Sequence, residues 1–160
     1  MPILPIEDLP AALPPRTPLA AVDVGEKTIG VAVSDFHLMI ATPLELIRKV
    51  KFTQDAERLF SLMQGRGAQG LIVGLPVNMD GTEGPRCQAS RAFARNLLRL
   101  RDFPIAFWDE RLSTAAVQRM LTDEADLTRG RRAELVDKAA AAWILQGALD
   151  RLGTDYITGE

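Results

Sequence analysis

The sequence predicts an α/β fold, a mixed five-stranded sheet with helices on both faces. Three observations carry that prediction. The runs Leu19 to Val24 and Thr28 to Ser34 ("TIGVAVS") read as strands and are separated only by "GEK", a gap short enough for an antiparallel hairpin. The run Leu71 to Leu75 ("LIVGL") is wholly apolar, as a strand becomes when both its faces are covered. Segments of helical spacing then alternate with "LIVGL" and "IAFWDE", and strands alternating with helices imply parallel pairing through right-handed crossovers.

Each element follows in order. Six of the ten prolines fall within Met1 to Pro18. This predicts an extended, poorly ordered arm, because proline lacks a backbone donor and is excluded from helix and sheet interiors. After the two hairpin strands, Ile40 to Lys49 alternates loosely and forms a third. Ala56, Leu59, Phe60 and Met63 recur at helical spacing between Thr53 and Met63, and Gly65 and Gly67 end that helix. The loop "PVNMDGTEG" follows "LIVGL", and Pro85 opens a helix running to about Leu100. After "IAFWDE", Ser113 caps a helix through Leu121. A polar, basic loop leads to a last helix from Ala133 to Leu152. The organisation is an arm (1–18), one domain (19–152) and a short tail (153–160), with no internal repeat.

With 160 residues, 47% hydrophobic and 25% charged, the chain suits a single globular domain. No apolar run approaches the roughly 20 residues of a membrane-spanning helix. The N-terminus is too proline-rich and acidic for a signal peptide. With one cysteine, Cys87, this predicts a cytoplasmic protein with no disulfide and no membrane partner. Cys87 lies at a helix start, far in sequence from His37, the one histidine. It reads as a small filler residue and His37 as a turn residue. The net charge of −2 carries no global signature of nucleic-acid binding, so such contacts have to come from local patches.

The chemistry lies in the acids. Asp23 interrupts an apolar strand near its carboxyl end, sharing a face with Leu19 and Ala21. Glu110 closes the strand "IAFWDE". Sites in open α/β sheets form outside the carboxyl ends of parallel strands, so two acids from separate strands meet there. On the last helix, Asp137 shares a face with Ala140, Ala141, Ile144 and Ala148, a small-residue stripe suited to close approach to a sheet. Each acid alone has a plain reading. Asp23 precedes a turn, Glu110 can pair with Arg111, and Asp137 suits an early helical position. Together they would repel one another without a cation or protonation. Oxygen-only ligands favour Mg²⁺ or Mn²⁺ over Zn²⁺, and such ions serve phosphoryl chemistry.

Four stretches in this order, "AVDVGEKTIGVAVSD", "IVGLPVNMDGTEG", "DERLST" and "VDKAAAAWILQ", resemble the YqgF/RuvX family of bacterial proteins. The resemblance covers about Leu19 to Leu152. It implies an RNase H-like fold and a metal-dependent nuclease that hydrolyses phosphodiesters. The family is linked both to maturation of the 5′ end of 16S rRNA and to Holliday junction resolution. Its acidic residues carry over onto Asp23, Glu110 and Asp137, which would bind one or two Mg²⁺ or Mn²⁺ ions. The implied partner is structured RNA, the 16S precursor, with a four-way DNA junction as the alternative. Junction resolution needs two coordinated cuts and implies a homodimer, whereas RNA trimming does not. The proline-rich arm falls outside the resemblance, and Glu26 stands where a small polar residue is more usual.

Candidate nucleic-acid contacts surround these acids. Lys27 sits four residues after Asp23, either near a scissile phosphate or simply on the hairpin turn. Asn78 lies in a loop before a helix N-terminus, where backbone donors can hold phosphate. Asp80 and Gly81 build a turn there. Arg86, Arg91, Arg95 and Arg99 lie on a helix without acids, either a phosphate-tracking stripe or an ordinary basic surface. Arg129, Arg131 and Arg132 precede Asp137 in a flexible loop. Trp108 and Trp143 fall in apolar periodic segments and read as core. Two rival classes are an ATPase of the actin and sugar-kinase type, which needs a second phosphate loop and a larger second domain for which 160 residues leave little room, and an RNA-binding ribosome-assembly factor that does not cut.

Overall fold

A computed structural model describes residues 3–112 and 129–157, with side chains for 3–112 and 139–153. Strands β1 (Ile3–Leu4), β2 (Leu19–Val24), β3 (Thr28–Ser34), β4 (Ala41–Arg48), β5 (Gly70–Leu75) and β6 (Ile105–Asp109) form one sheet in the order β1-β6-β5-β2-β3-β4. The β2–β3–β4 meander is antiparallel, whereas β2, β5 and β6 run parallel. Both follow from the chain. "GEK" allows only a tight reversal, and each parallel crossover carries a helix, α1 (Phe52–Arg66) or α2 (Pro85–Leu100). A third helix, α3, spans Arg129–Ile157. The helix expected from Ser113 to Leu121 lies outside the described residues.

Alternation along the strands divides the core into two layers. Ala20, Val22, Leu71, Val73 and Ile105 pack against α1 and α2 through Leu59, Met63, Phe93 and Leu97. Leu19, Ala21, Ile72, Ala106 and Trp108 lie under α3, which presents Ala141, Ile144, Leu145, Ala148 and Leu149. Small side chains on this helix bring its backbone close to the sheet. Gln146 fixes its sideways position by accepting from Ala41 N (2.9 Å) and donating to Met39 O (3.0 Å).

Three expectations about boundaries are corrected. The proline-rich segment is not a loose arm. Ile3 and Leu4 pair in parallel with Ile105 and Ala106, adding a sixth strand to the five expected. Two 3₁₀ turns follow at Ile6–Asp8 and Pro10–Ala12, and Leu9 is fully buried. Proline is tolerated at the start of a helical turn and beside an edge strand, and Ile6, Leu9 and Leu13 between the prolines supply an apolar face. Gly70 receives it, since a Cβ there would lie 2.8 Å from the side chains of both Leu13 and Leu19. Second, α3 starts at Arg129, so Arg129, Arg131 and Arg132 have helical backbone and not a flexible loop. The cost of Gly130, about 1 kcal/mol, is small beside the helix-forming run that follows it. Third, α3 continues through Ile157, past the expected end at Leu152.

Leu9→Ala should destabilise the fold by about 2–5 kcal/mol, as for other fully buried leucines. Urea denaturation measures this, and a midpoint equal to wild type would mean that the N-terminal segment does not pack.

Candidate acidic site at the carboxyl edge of the sheet

Asp23 is the fifth residue of β2 and lies on the α3 face, 8% exposed. Its antiparallel neighbour is Gly30. On its other side, Val22 pairs with Val73 of β5, so the next position sets Asp23 beside Gly74. Glycine therefore flanks the acid in both neighbouring strands. Gly74 in turn pairs with Trp108 of β6. Glu110 follows two residues later, opening a 3₁₀ turn, and is 7% exposed. Across the sheet two strand spacings, about 10 Å, separate Asp23 from Glu110, which also stands two residues further along.

The Glu110 side chain closes much of that gap. A Cβ built on Gly74 would stand 3.3 Å from Glu110 Oε2, so the carboxylate lies over the central strand. The same Cβ would stand 2.7 Å from Ile144 Cδ1 of α3. Two buried carboxylates thus lie on one sheet face beneath a helix. Asp137 occupies α3 two turns before Ile144, about 10 Å along the axis, and its side chain lies outside those described. Among the described residues no third acid, histidine or cysteine completes a metal-ligand cluster.

Asp109 and Arg111 flank Glu110 and engage each other. Arg111 donates to the Asp109 carboxylate through Nε (3.1 Å) and Nη2 (2.7 Å), and Asp109 also accepts from the Arg111 backbone N–H. Hydrogen bonding to Arg111 holds the Asp109 carboxyl below its ordinary value. The guanidinium that sequence allowed Glu110 to pair with is thus bonded to Asp109. Arg111 Nη1 also reaches Asn78 O at 3.4 Å, touching the loop after β5. That loop is internally braced. Asp80 accepts from both the N–H and the hydroxyl of Thr82, and Asn78 Nδ2 donates to Thr82 Oγ1. Asp80 and Gly81 do form its turn, and the Asn78 side chain helps to hold it.

The basic residues are less united. Lys27 is exposed on the hairpin turn, where its carbonyl accepts from Lys49 N. Arg86 and Arg95 are exposed on α2. Arg91 binds Glu83 through both Nε and Nη2 at 2.8 Å and lies over the Phe107 ring, 4.9 Å from its centroid. Its charge is engaged within the protein, which interrupts the expected Arg91–Arg95–Arg99 stripe. Since α2 packs on the layer opposite α3, this row is not brought to the face of Asp23 and Glu110. The side chains of Arg129, Arg131 and Arg132 lie outside those described. Cys87 is fully buried, and burial raises its thiol pKa, which suits a filler residue. Trp108 is core, whereas Trp143 is only half-buried. Sequence reasoning missed two features of the site, the Asp109–Arg111 clasp and Gly74. The one available sign of the latter was a glycine inside an apolar strand, which marks close approach of another group.

Six strands in this order, with two parallel crossovers and buried acids at the carboxyl edge, define a RuvC-like, RNase H-type fold. The structure of Thermus thermophilus RuvC in complex with a Holliday junction substrate aligns over 86% of this chain and 97% of that one, with a TM-score of 0.52 at 13% identity. A second Thermus thermophilus RuvC structure gives 0.51. Residues 17–151 match the family described as "RuvX: Holliday junction resolvase", and the chain belongs to that family. It is 70% identical over 153 residues to a protein of Phenylobacterium zucineum, covering 95% of this chain and 98% of that one. A Caulobacter vibrioides protein is 63% identical at the same coverage. One from Rhodospirillum rubrum is 62% identical, covering 95% and 94%. All three bear the name "Putative pre-16S rRNA nuclease".

Replacing Arg111 with Gln should return the Asp109 carboxyl toward its ordinary value of 3.8, as read from its side-chain carbon resonance during an NMR titration. A depressed carboxyl pKa stabilises the fold above the unfolded-state value and loses that effect as pH falls through the folded one. The stability difference between wild type and variant should therefore be fully present near neutral pH and close in acid.

Proposed function

We propose that this chain is a divalent-metal-dependent nuclease that cleaves phosphodiester bonds in maturing the 5′ end of pre-16S rRNA in the cytoplasm. The observation that carries the reading is the placement of Asp23 and Glu110, two buried carboxylates on one sheet face at the carboxyl ends of parallel strands. Their donor set fits a hard cation, Mg²⁺ or Mn²⁺, since it offers oxygen alone. Asp23, Glu110 and, from α3, Asp137 would hold it. Bound there, the ion supplies an activated water at neutral pH and stabilises charge on the leaving 3′-oxygen.

The chain's own residues do the rest. Asp23 is fixed within β2 and Glu110 at the end of β6, so both carboxylates stand on rigid elements. The apolar face of α3 limits water around them and strengthens their electrostatic interactions. Arg111 neutralises Asp109, leaving Glu110 as the acid of the "DER" triplet directed to the α3 face. Arg86 and the braced loop at 78–82 stand at the same edge of the sheet, where an RNA backbone would approach. The names of relatives at 62–70% identity favour ribosomal RNA as substrate. The family description favours a second reading, cleavage of a four-way DNA junction by a homodimer.

The test offers purified protein a 5′-extended 16S precursor, a four-way junction and ATP, each with Mn²⁺ or with EDTA. Cleavage of the precursor should require Mn²⁺. It should fall by at least about 100-fold in Asp23→Asn, Glu110→Gln and Asp137→Asn, as for other groups acting in the transition state. Equal cutting by wild type and variants would reject the site. Junction cleavage by a dimer would select the second reading. RNA binding without cleavage would indicate an assembly factor, and ATP turnover alone an actin-like ATPase.

A further inference from the structure

The central strand β5 sets Gly70, Ile72 and Gly74 on one face of the sheet, and the two glycines have different neighbours. Gly70 accommodates leucines of the N-terminal segment. At Gly74 a Cβ would meet Ile144 Cδ1 at 2.7 Å, Glu110 Oε2 at 3.3 Å and Glu110 Cγ at 3.4 Å. We propose that Gly74 is a positioning residue for Glu110, its missing side chain being the space in which that carboxylate is seated over β5 beside Asp23. The inference rests on the reading of these acids as metal ligands.

The two neighbours yield in different ways. Ile144 meets the added carbon only with its terminal methyl, so Ile144→Val removes the worst overlap without disturbing the helix. Glu110 meets it more gently, with Cγ at contact distance and Oε2 at 3.3 Å, so relief there shifts the carboxylate away from the central strand by about a few tenths of an ångström. A methyl group at Gly74 therefore has two separable effects. One acts on helix packing and is curable by shortening Ile144. The other acts on the acid and is not. The plain alternative, that Gly74 serves only the close approach of α3, predicts that curing the first cures everything.

The experiment compares the full-length wild type, Ile144→Val, Gly74→Ala and the double variant. It measures thermal unfolding, Mn²⁺ affinity by calorimetry, and kcat and KM on the 5′-extended 16S precursor. Gly74→Ala should unfold at lower temperature, bind Mn²⁺ about tenfold more weakly and lose about tenfold in kcat with KM for RNA unchanged. In the double variant the unfolding temperature should recover, while Mn²⁺ affinity and kcat stay low. Recovery of all three, or unaltered Mn²⁺ affinity in Gly74→Ala, would overturn the inference. Should Gly74→Ala alone fail to fold, the comparison of the double variant with Ile144→Val decides. Wild-type protein that binds Mn²⁺ yet cuts nothing would reject the nuclease reading, and the Mn²⁺ comparison would still judge Gly74. Wild-type protein that binds no Mn²⁺ would reject both.

Discussion

Holding two carboxylates beneath an apolar helix is the demand around which the sheet is fitted. Charge on that face is costly unless geometry keeps a compensating group within reach. The surroundings of Asp23 and Glu110 are arranged accordingly. Both acids stand at strand ends, where the parallel segments stop and the helix passes over. Glycine flanks Asp23 in each adjacent strand. Deeper in the same layer the described residues under α3 are mostly apolar, Leu19, Ala21, Ile72 and Ala106 among them. The apolar base keeps the elements rigid, and the acids occupy its rim.

Local charge pairing sharpens this arrangement. The sequence places Asp109, Glu110 and Arg111 consecutively, and strand alternation sends the two acids to opposite layers. Arg111 binds the one on the α2 side, Asp109. In the loop before α2, Glu83 does the reverse, engaging Arg91 of that helix. A polyanionic substrate would meet a surface whose charges have been partly sorted in advance, which matters in a chain of net charge −2.

The hairpin, the "LIVGL" strand and both crossover helices were legible in the sequence because period-2 and helical patterns are local. Asp23 and Glu110 were legible because a charge that closes an apolar run is conspicuous, and strand order then dictates where the runs end. Gly74 was not, since its reason lies in Glu110 and Ile144, distant in the chain. The pairing of Arg91 with Glu83 was hidden for a related reason. A row of arginines on one helix looks uniform until the fold delivers an anion to one of them. The N-terminal segment was obscured by composition. Its prolines argue against any central element, and its leucines acquire meaning only against Gly70 and β6.

The pairing of Ile3 and Leu4 with Ile105 and Ala106 also sets an order of assembly. Those residues leave the ribosome about a hundred positions ahead of their partners, a delay on the order of 5–20 s at typical synthesis rates. The meander and the first crossover can form within that time from neighbouring sequence, whereas β1 has nothing to pair with. The first strand of the chain is thus the last to join the sheet, and until it does Ile6 and Leu9 lack the cover that the finished fold gives them.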